Sequence, residues 1–429
     1  MVRFLIRSFA STVVTMLLVS MVLFFLVDVG GGDVTVKILG IQATPEQRES
    51  LHKQLGLDQS TITRYATWLI GNDWWVPVEY PIISVTNAKT GENEYWADVN
   101  GQPTRWAMED GELFAFQHQA DDSTVKELAG DVWQKDGEQE IFWGLNNANS
   151  AVKWVRGSGV SVFIRTAAGI REVKDGPTQY IPLSKGMLRG DLGRSMQTRR
   201  PVAVTLWPRV RNTAILAFAA FLLIMPLALF LGIIAGISEG RPIDRFISVT
   251  SLAATATPEF VSGIFLILVL GIWLKLVPPV AVFLTDDAIF QNPEMLILPL
   301  LTLTLIEVGY IARMTRASMV EVMGTAYIRT AVIKGMPFSR VVIRHAIRNA
   351  LMAPITVIML HVNWLVGGLV VVEAIFGYPG LGNYIYDAAI FGDFSAVLAA
   401  AMITVIIAVV TRLLGDLAYT FLNPRIRYS

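Results

Sequence analysis

Six long apolar stretches recur along the chain, and polar segments separate them. A helix needs about 20 predominantly apolar residues to cross a bilayer, so the pattern predicts an all-α polytopic membrane protein with six transmembrane helices. The third stretch exceeds that length and contains Pro258, which predicts a tilted or broken helix. The six stretches are Phe4–Val27, Thr213–Ile237, Phe246–Leu276, Ile297–Met314, Ile355–Phe376 and Ala396–Leu422.

Residues 75–188 follow a different pattern, with short β-like runs between turn signals. Interleaved with these runs are Trp96, Trp106, Trp133, Trp143 and Trp154. The runs include Ile82–Thr86, and Asn100-Gly101 is one of the turns; Lys89-Thr90-Gly91 and Asp175-Gly176-Pro177 are others. A disordered linker has few aromatic residues, so we expect an inserted, mostly-β extracytoplasmic domain. The remaining domains are then a first transmembrane helix (1–28), an external helical segment (29–74) and a five-helix core (189–429). In the external segment, Thr44 and Pro45 begin a helix that ends at Gly56.

Composition agrees with a membrane protein and excludes several classes of function. The chain is 53% hydrophobic with a mean hydropathy of +0.51, and its 35 acids balance its 35 bases. Because the bases lie in short loops between apolar stretches, they give no support for nucleic-acid binding. The chain has no cysteine, so no disulfide holds the insert together. Acids outnumber bases from Glu92 to Glu140, which fits either a docking surface or a merely solvated face.

One loop, Arg313–Pro354, is strongly basic and contains a single acid, Glu321. Such a loop between spans belongs in the cytoplasm. Its spacing predicts a helix over Tyr327–Lys334, a break at Gly335 and Pro337, and a second helix over Arg340–Leu351 capped by Ser339. Two short helices that meet at a bend form a projection that another protein can grip. Charge alone fits equally well with a loop that only fixes the orientation of the chain.

The same loop resembles the coupling loop, or EAA motif, of ABC-importer permeases, and more narrowly that of permeases for peptides, dipeptides and nickel. The matching residues are Ala326-Tyr327-Ile328-Arg329-Thr330-Ala331, Lys334-Gly335 and His345-Ala346-Ile347-Arg348-Asn349-Ala350. Ala326 stands where that family usually has an acid. Further similar segments are Gly190-Asp191-Leu192-Gly193, Val371–Phe376 with Tyr378–Gly382, and the ending Asn423–Tyr428.

The resemblance implies a transmembrane subunit of an ABC importer in the bacterial inner membrane, with both termini cytoplasmic and peptides as the expected solute. It implies a second permease subunit, two cytoplasmic ATPases and a periplasmic binding protein as partners. The chain lacks the G-x-x-x-x-G-K-[ST] motif, so we expect neither an ATPase site of its own nor a cofactor. The expected ATPase-coupling residues, within a loop of about 320–350, are Arg329, Thr330, Ala331, Gly335, Met336, Pro337, Phe338, Ser339, Arg340 and His345.

Two acids fall inside apolar stretches, where a charge costs at least about 2.5 kcal/mol. Glu259 and Glu307 are therefore candidates for the translocation pathway, although a protonated or hydrogen-bonded structural role is an alternative. His345 has no second ligand at metal-binding spacing, so we expect a packed histidine. A membrane-anchored sensor or binding protein, with the insert as its working part, is the alternative function.

Overall fold

The computed structural model describes residues 2–30, 34–40, 42–80, 82–87, 93–109, 112–128, 133–146, 150–166, 169–174, 176–198, 200–281 and 291–422. The chain separates into two units. The first comprises Met1–Ser20, Val204–Ile390 and Ala400–Ser429, and the second comprises Met21–Ala203 and Phe391–Ala399. The similar ending Asn423–Tyr428 and the turn at Lys89-Thr90-Gly91 lie outside the described residues, as does Asp175.

The helices follow the apolar stretches. They are α1 (Val2–Gly30), α2 (Val34–Leu39), α3 (Pro45–Gln54), α4 (Thr61–Ile70), α5 (Val76–Glu79), α6 (Val202–Ile237), α7 (Pro242–Ala256), α8 (Glu259–Leu266), α9 (Ile297–Met323), α10 (Ala326–Ile333), α11 (Phe338–Ala350), α12 (Met352–Phe376), α13 (Leu381–Phe391) and α14 (Phe394–Leu422). Short 3₁₀ turns cover Met187–Arg189 and Pro293–Leu296, and a π-helical stretch, Ile267–Trp273, continues α8.

The prediction of an all-α protein with six transmembrane helices is wrong. Among the described residues, four helices are long and apolar enough to cross a membrane, and there are up to six only if each of two bent pairs counts as one span. The predicted span Phe246–Leu276 belongs to one such pair, in which α7 and α8 with its π-helical continuation meet at 105°. The predicted span Ile355–Phe376 belongs to the other, in which α11 and α12 meet at 45°.

Proline chemistry explains both bends. Pro258 has no N–H to donate and disfavours helical geometry at Thr257, which is extended at φ −92° and ψ 127°. Pro354, in the first turn of α12, likewise cannot donate to the carbonyl of Ala350. The hydroxyl of Ser318 donates to that carbonyl instead, at 2.7 Å. The position of each bend is therefore set by the local sequence.

The all-α description also fails because the second unit contains a large sheet. Among the described residues, nine strands form one sheet in the order β1-β2-β3-β7-β8-β11, with β4 between β3 and β5, and β6 beside β7; β9 and β10 form a separate hairpin. The strands are β1 (Ile82–Thr86), β2 (Asn93–Val99), β3 (Gln102–Glu109), β4 (Glu112–His118), β5 (Thr124–Leu128), β6 (Gln134–Asp136), β7 (Gln139–Leu145), β8 (Ser150–Val155), β9 (Val162–Thr166), β10 (Gly169–Val173) and β11 (Pro177–Pro182). The expected mostly-β insert is thus seen.

Tryptophans form the core of this sheet. The rings of Trp106 and Trp154 meet edge to face, with centroids 4.9 Å apart and planes at 90°, an arrangement that adds about 0.5–1.5 kcal/mol to the burial itself. Gly144 is required beneath them, because a Cβ there would lie 1.7 Å from Cδ1 of Trp106. The predicted turn at Asn100-Gly101 is confirmed: both residues have positive φ, 55° and 81°, and they join β2 to β3.

The two ends of the insert are tied together. The side chain of Asn72 donates to the carbonyl of Pro182 at 2.8 Å and accepts from the N–H of Ser184 at 2.8 Å. The N–H of Asn72 donates in turn to the carbonyl of Ser184 at 2.9 Å. Asp73 pairs with Arg189 close by. The chain therefore leaves and re-enters the rest of the second unit at one place.

Candidate functional site

The basic loop folds as a helical hairpin, formed by α10, the bend Lys334–Pro337 and α11, which we call the knob. Gly335 makes the bend, with φ +76°, a backbone conformation that residues other than glycine rarely adopt. Its N–H donates to the carbonyl of Val332 at 2.9 Å, and the N–H of Met336 donates to that of Ala331 at 3.3 Å. These two bonds satisfy carbonyls that the end of α10 would otherwise leave open.

The knob has a small apolar core of its own, which also holds it to the end of α9. Met336 packs against this core. The hydroxyl of Tyr327 accepts a hydrogen bond from the side chain of Asn349 at 2.9 Å and so joins the two helices of the hairpin. The buried core residues are Met319, Ile328, Ala331, Val341, Val342, Ala346 and Ala350.

Outside that core, the knob exposes apolar and basic side chains side by side. Ile333 is 85% exposed and Phe338 is 57% exposed, and Val332 and Ile343 are exposed as well. Burying such side chains against a partner is favourable by about 1.5–3 kcal/mol each. The exposed basic residues are Arg329, Lys334, Arg340, Arg344 and Arg348. A mixed apolar and basic surface of this kind suits a protein partner.

The structure distributes the expected coupling residues between the surface and the core. Ala331 is only 8% exposed, so its side chain packs inside the knob and offers little to a partner. Met336 and His345 are half-buried. The exposed ones are Arg329, Thr330, Gly335, Pro337, Phe338, Ser339 and Arg340.

Ser339 is not the helix cap that the sequence predicts. The second helix begins at Phe338, and Pro337 holds the N-cap position with φ −61° and ψ 141° and no side-chain hydrogen bond. Because proline has a fixed φ near this value, it starts the helix two residues earlier than the serine would.

Sequence reasoning missed the connection between the knob and the preceding helices. Arg316, on α9, makes a two-pronged ion pair with Asp244, on α7, and its Nη2 lies 2.7 Å from Oδ2. Asp244 is buried. The sequence gives no signal for this pair, because Arg241 and Arg245 stand beside Asp244 and its actual partner lies 72 residues away.

Glu259 and Glu307 lie in the first unit on α8 and α9. Glu307 is 3% exposed, and Glu259 is half-buried at the first position of its helix, where the helix dipole favours a negative charge. Their charges interact with each other. The fold therefore brings the two pathway candidates into one electrostatic environment.

Another buried acid, Glu373, holds the segment Tyr378–Gly382 in place before α13. It accepts hydrogen bonds from the N–H groups of Gly382 and Asn383, at 2.6 and 3.3 Å, and from the hydroxyl of Thr213 at 2.5 Å. The carboxylate thus caps the start of α13. A Cβ on Gly380 would lie 2.2 Å from this carboxylate, so glycine is needed there.

Among the described residues, no group of three or more His, Cys, Asp or Glu side chains is arranged to hold a metal ion. An apolar cavity of about 250 Å³ lies beside Glu373, and Val210, Ala217, Leu369 and Ile407 line it. The chemistry available to the first unit is therefore that of apolar helices with a few buried acids and an exposed basic knob.

Comparisons with known proteins agree on one family. Residues 228–428 match the family described as "Binding-protein-dependent transport system inner membrane component", and residues 1–74 match its N-terminal counterpart. Neither match includes residues 75–227, which contain the sheet.

Similar curated proteins include the oligopeptide transport system permease protein AppB of Bacillus subtilis (strain 168). It is 34% identical over 253 residues, which cover 58% of this chain and 80% of AppB. The dipeptide transport system permease protein DppB of Escherichia coli (strain K12) is 33% identical over 274 residues, with coverages of 58% and 81%. DppB of Haemophilus influenzae is 35% identical over 261 residues, with coverages of 56% and 78%.

Proposed function

We propose, from the premise that this chain belongs to the family of binding-protein-dependent transport system inner membrane components, that it couples ATP hydrolysis by separate ATPases to the uptake of peptides. The chain is a multi-pass inner-membrane subunit of an importer and contributes to its translocation pathway. Peptides are the proposed solute because AppB and DppB are named for oligopeptide and dipeptide transport.

The observation that carries the proposal is the knob, a self-supporting hairpin with exposed apolar side chains among basic ones. We assign ATPase docking to its exposed residues Arg329, Thr330, Gly335, Pro337, Phe338, Ser339 and Arg340, to which we add Ile333. The less exposed residues Ala331, Met336 and His345 pack beneath this surface. The apolar side chains supply affinity, and the arginines orient the encounter with an oppositely charged groove.

The complete transporter that we propose contains a second permease subunit, two cytoplasmic ATPases and a periplasmic binding protein. This chain supplies no ATP site of its own, in keeping with its lack of the phosphate-loop motif. The basic knob favours the cytoplasm, and we propose that both termini lie on that side as well.

Glu259 and Glu307 are proposed to face the translocation pathway. A buried acid within apolar helices is retained at a cost, and of the two the half-buried Glu259 is the one with an accessible side chain for the ammonium group of a passing peptide. The insert, on this view, stands outside the membrane and meets the binding protein. Its acidic character supports attraction of a basic face, which raises the association rate more than the final affinity.

Changing one exposed side chain of the knob tests docking directly. Ile333→Glu places a charge at the most exposed apolar position of the surface, where an ATPase groove would have to desolvate it. We expect the ATPases to co-purify at least about tenfold less, since the substitution removes roughly 1.5–3 kcal/mol of burial. Affinity purification of the assembled transporter, followed by quantification of each subunit, gives this measurement.

The matched control is Val78→Glu, because Val78, in the insert, is 87% exposed and so equals Ile333 in exposure. This variant should keep the full complement of ATPases. Equal ATPase recovery with both variants would show that the knob is not the docking site.

A further inference from the structure

A buried ion pair joins the helix that carries the knob to the bent helix pair. Asp244 lies in the first turn of α7, and its side chain is 4% exposed; that of Arg316, on α9, is 30% exposed. The guanidinium donates through Nε and Nη2 to both carboxylate oxygens. Two-pronged pairs of this kind fix orientation as well as distance.

The remaining acceptor positions of Asp244 are also filled. The N–H of Gly240 donates to Oδ2 at 2.9 Å, and the hydroxyl of Ser248 donates to Oδ1 at 3.2 Å. The carboxylate therefore locks the turn before α7, the first turns of α7 itself and the side of α9 into one rigid contact.

Arg316 stands one helical turn before Met319, which is fully buried in the core of the knob. Ser318, between them, donates to the carbonyl of Ala350 at the far end of the knob. The last turns of α9 thus hold the knob on one side and α7 on the other. The end of α9 therefore connects the knob to α7 by a short and rigid path.

On its other side, α7 leads to the 105° bend and to α8, which begins with Glu259. The helices α7 and α9 also touch through their backbones farther along: a Cβ on Gly309 would lie 2.7 Å from the carbonyl oxygen of Ser251. The two helices are therefore in close contact beyond the ion pair as well, so a displacement at the knob end acts on the length of α7 that leads to the bend.

We infer that the Asp244–Arg316 ion pair is the positioning link that carries movement of the knob to the bent helix pair, so that ATP hydrolysis and opening of the pathway stay in step. This inference rests on the proposed coupling function of the knob. Neither residue touches substrate on this account; both act by holding α7 to α9.

The test uses the whole transporter in liposomes and measures peptide imported per ATP hydrolysed. Asp244→Asn keeps the size of the side chain and an oxygen for Gly240 but removes the charge that holds Arg316. We expect the ratio to fall at least about fivefold, the lower end of typical coupling energies, with normal co-purification of the ATPases. Arg316→Lys keeps the charge but loses the two-pronged contact. Its ratio should lie between that of the unaltered protein and that of Asp244→Asn.

Glu294→Gln is the matched control. It removes one exposed acid from the turn before α9, and its ratio should equal that of the unaltered protein. An unchanged ratio in Asp244→Asn, or an equal fall in Glu294→Gln, would overturn the inference.

A purely structural role is separated by the double variant Asp244→Asn with Arg316→Met. Removing both partners of a buried pair relieves the cost of leaving one charge alone, so the amount of folded protein should recover from any loss in the single variant. The link predicts that the ratio stays low, and recovery of the ratio would refute it.

The failures of the two proposals are distinguishable. If Ile333→Glu retains its ATPases while Asp244→Asn lowers the ratio, docking is misassigned; the pair then matters for coupling, but the claim that it carries movement of the knob falls with the docking site. If Ile333→Glu loses its ATPases while Asp244→Asn leaves the ratio unchanged, docking stands and the link is refuted.

Discussion

Buried carboxylates at Asp244, Glu373 and Asp393 each accept hydrogen bonds from backbone N–H groups. Asp393 accepts from the N–H groups of Met196, Gln197 and Ala396, at 3.1, 3.3 and 3.2 Å. A carboxylate buried without donors would be very costly, whereas one that accepts several charge-assisted bonds fixes the loops around it. These carboxylates hold together segments that are distant in sequence.

Replacing Glu373 with alanine should destabilise the first unit. The change leaves the N–H groups of Gly382 and Asn383 and the hydroxyl of Thr213 without their acceptor, and each unsatisfied group costs about 1–3 kcal/mol. We expect a total of about 3 kcal/mol or more, visible as a lower midpoint when the detergent-solubilised protein is heated. Glu294→Ala, at an exposed acid, should remain within about 0.5 kcal/mol of the original. A midpoint for Glu373→Ala as high as that of the control would show that the cap contributes nothing.

At the residue scale, local signals were predictable and distant partners were not. Thr44 caps α3 and Pro45 begins it, as the sequence predicts, because both act through neighbouring backbone. Gly335 was identified as a break for the same reason. Arg316 and Asp244, by contrast, are ordinary charges in sequence, and only packing of α7 against α9 makes them a pair. The burial of Ala331 also depends on the second helix of the knob and so escaped prediction.

At the scale of the elements, the strands of the insert lie outside both family matches. The sheet lies within residues 75–227, between the two family matches, and hydrogen bonds between Asn72 and Ser184 hold its ends together. From Glu92 to Glu140 the sequence contains 13 acids against 3 bases. Because the two ends of the insert adjoin, the whole insert can be deleted and replaced by a short linker.

Excising residues 75–183, with a short glycine linker from Trp74 to Ser184, should leave a folded permease that still assembles with its ATPases. We expect the binding protein to stimulate ATP hydrolysis less in this variant, because the acidic surface that attracts it is gone. The difference from the intact chain should be largest at low salt, since screening weakens exposed charges. Equal stimulation of the two proteins at low and high salt would contradict the docking role of the insert.

The apolar pattern predicted where helices lie but not how each one crosses. A run such as Phe246–Leu276 is long and apolar, and its hydropathy does not distinguish one tilted helix from two helices at 105°. Pro258 marked the place of the break, yet the angle depends on how α7 and α8 pack. The strands of the insert were foreseen as a class because turn signals and tryptophans are local features. Their order in the sheet was not, since β3 lies beside β7 rather than only beside its sequence neighbours.

For the whole molecule, the proposed mechanism begins at the knob, whose basic residues favour the cytoplasm. In this proposal the knob contacts the ATPases, the Asp244–Arg316 pair passes its movement to α7, and Glu259 and Glu307 lie along the translocation pathway. Every step depends on contact between the knob and an ATPase.

Site-directed cross-linking tests that contact most directly, because the chain has no cysteine of its own. In the assembled transporter, a reagent that reacts with a thiol at one end and an amine at the other should join Phe338→Cys, at a position 57% exposed on the knob, to an ATPase subunit. Val78→Cys, in the insert, should give no such product. Absence of an ATPase adduct from Phe338→Cys in preparations that retain the ATPases, or an adduct of equal yield from Val78→Cys, would contradict the account.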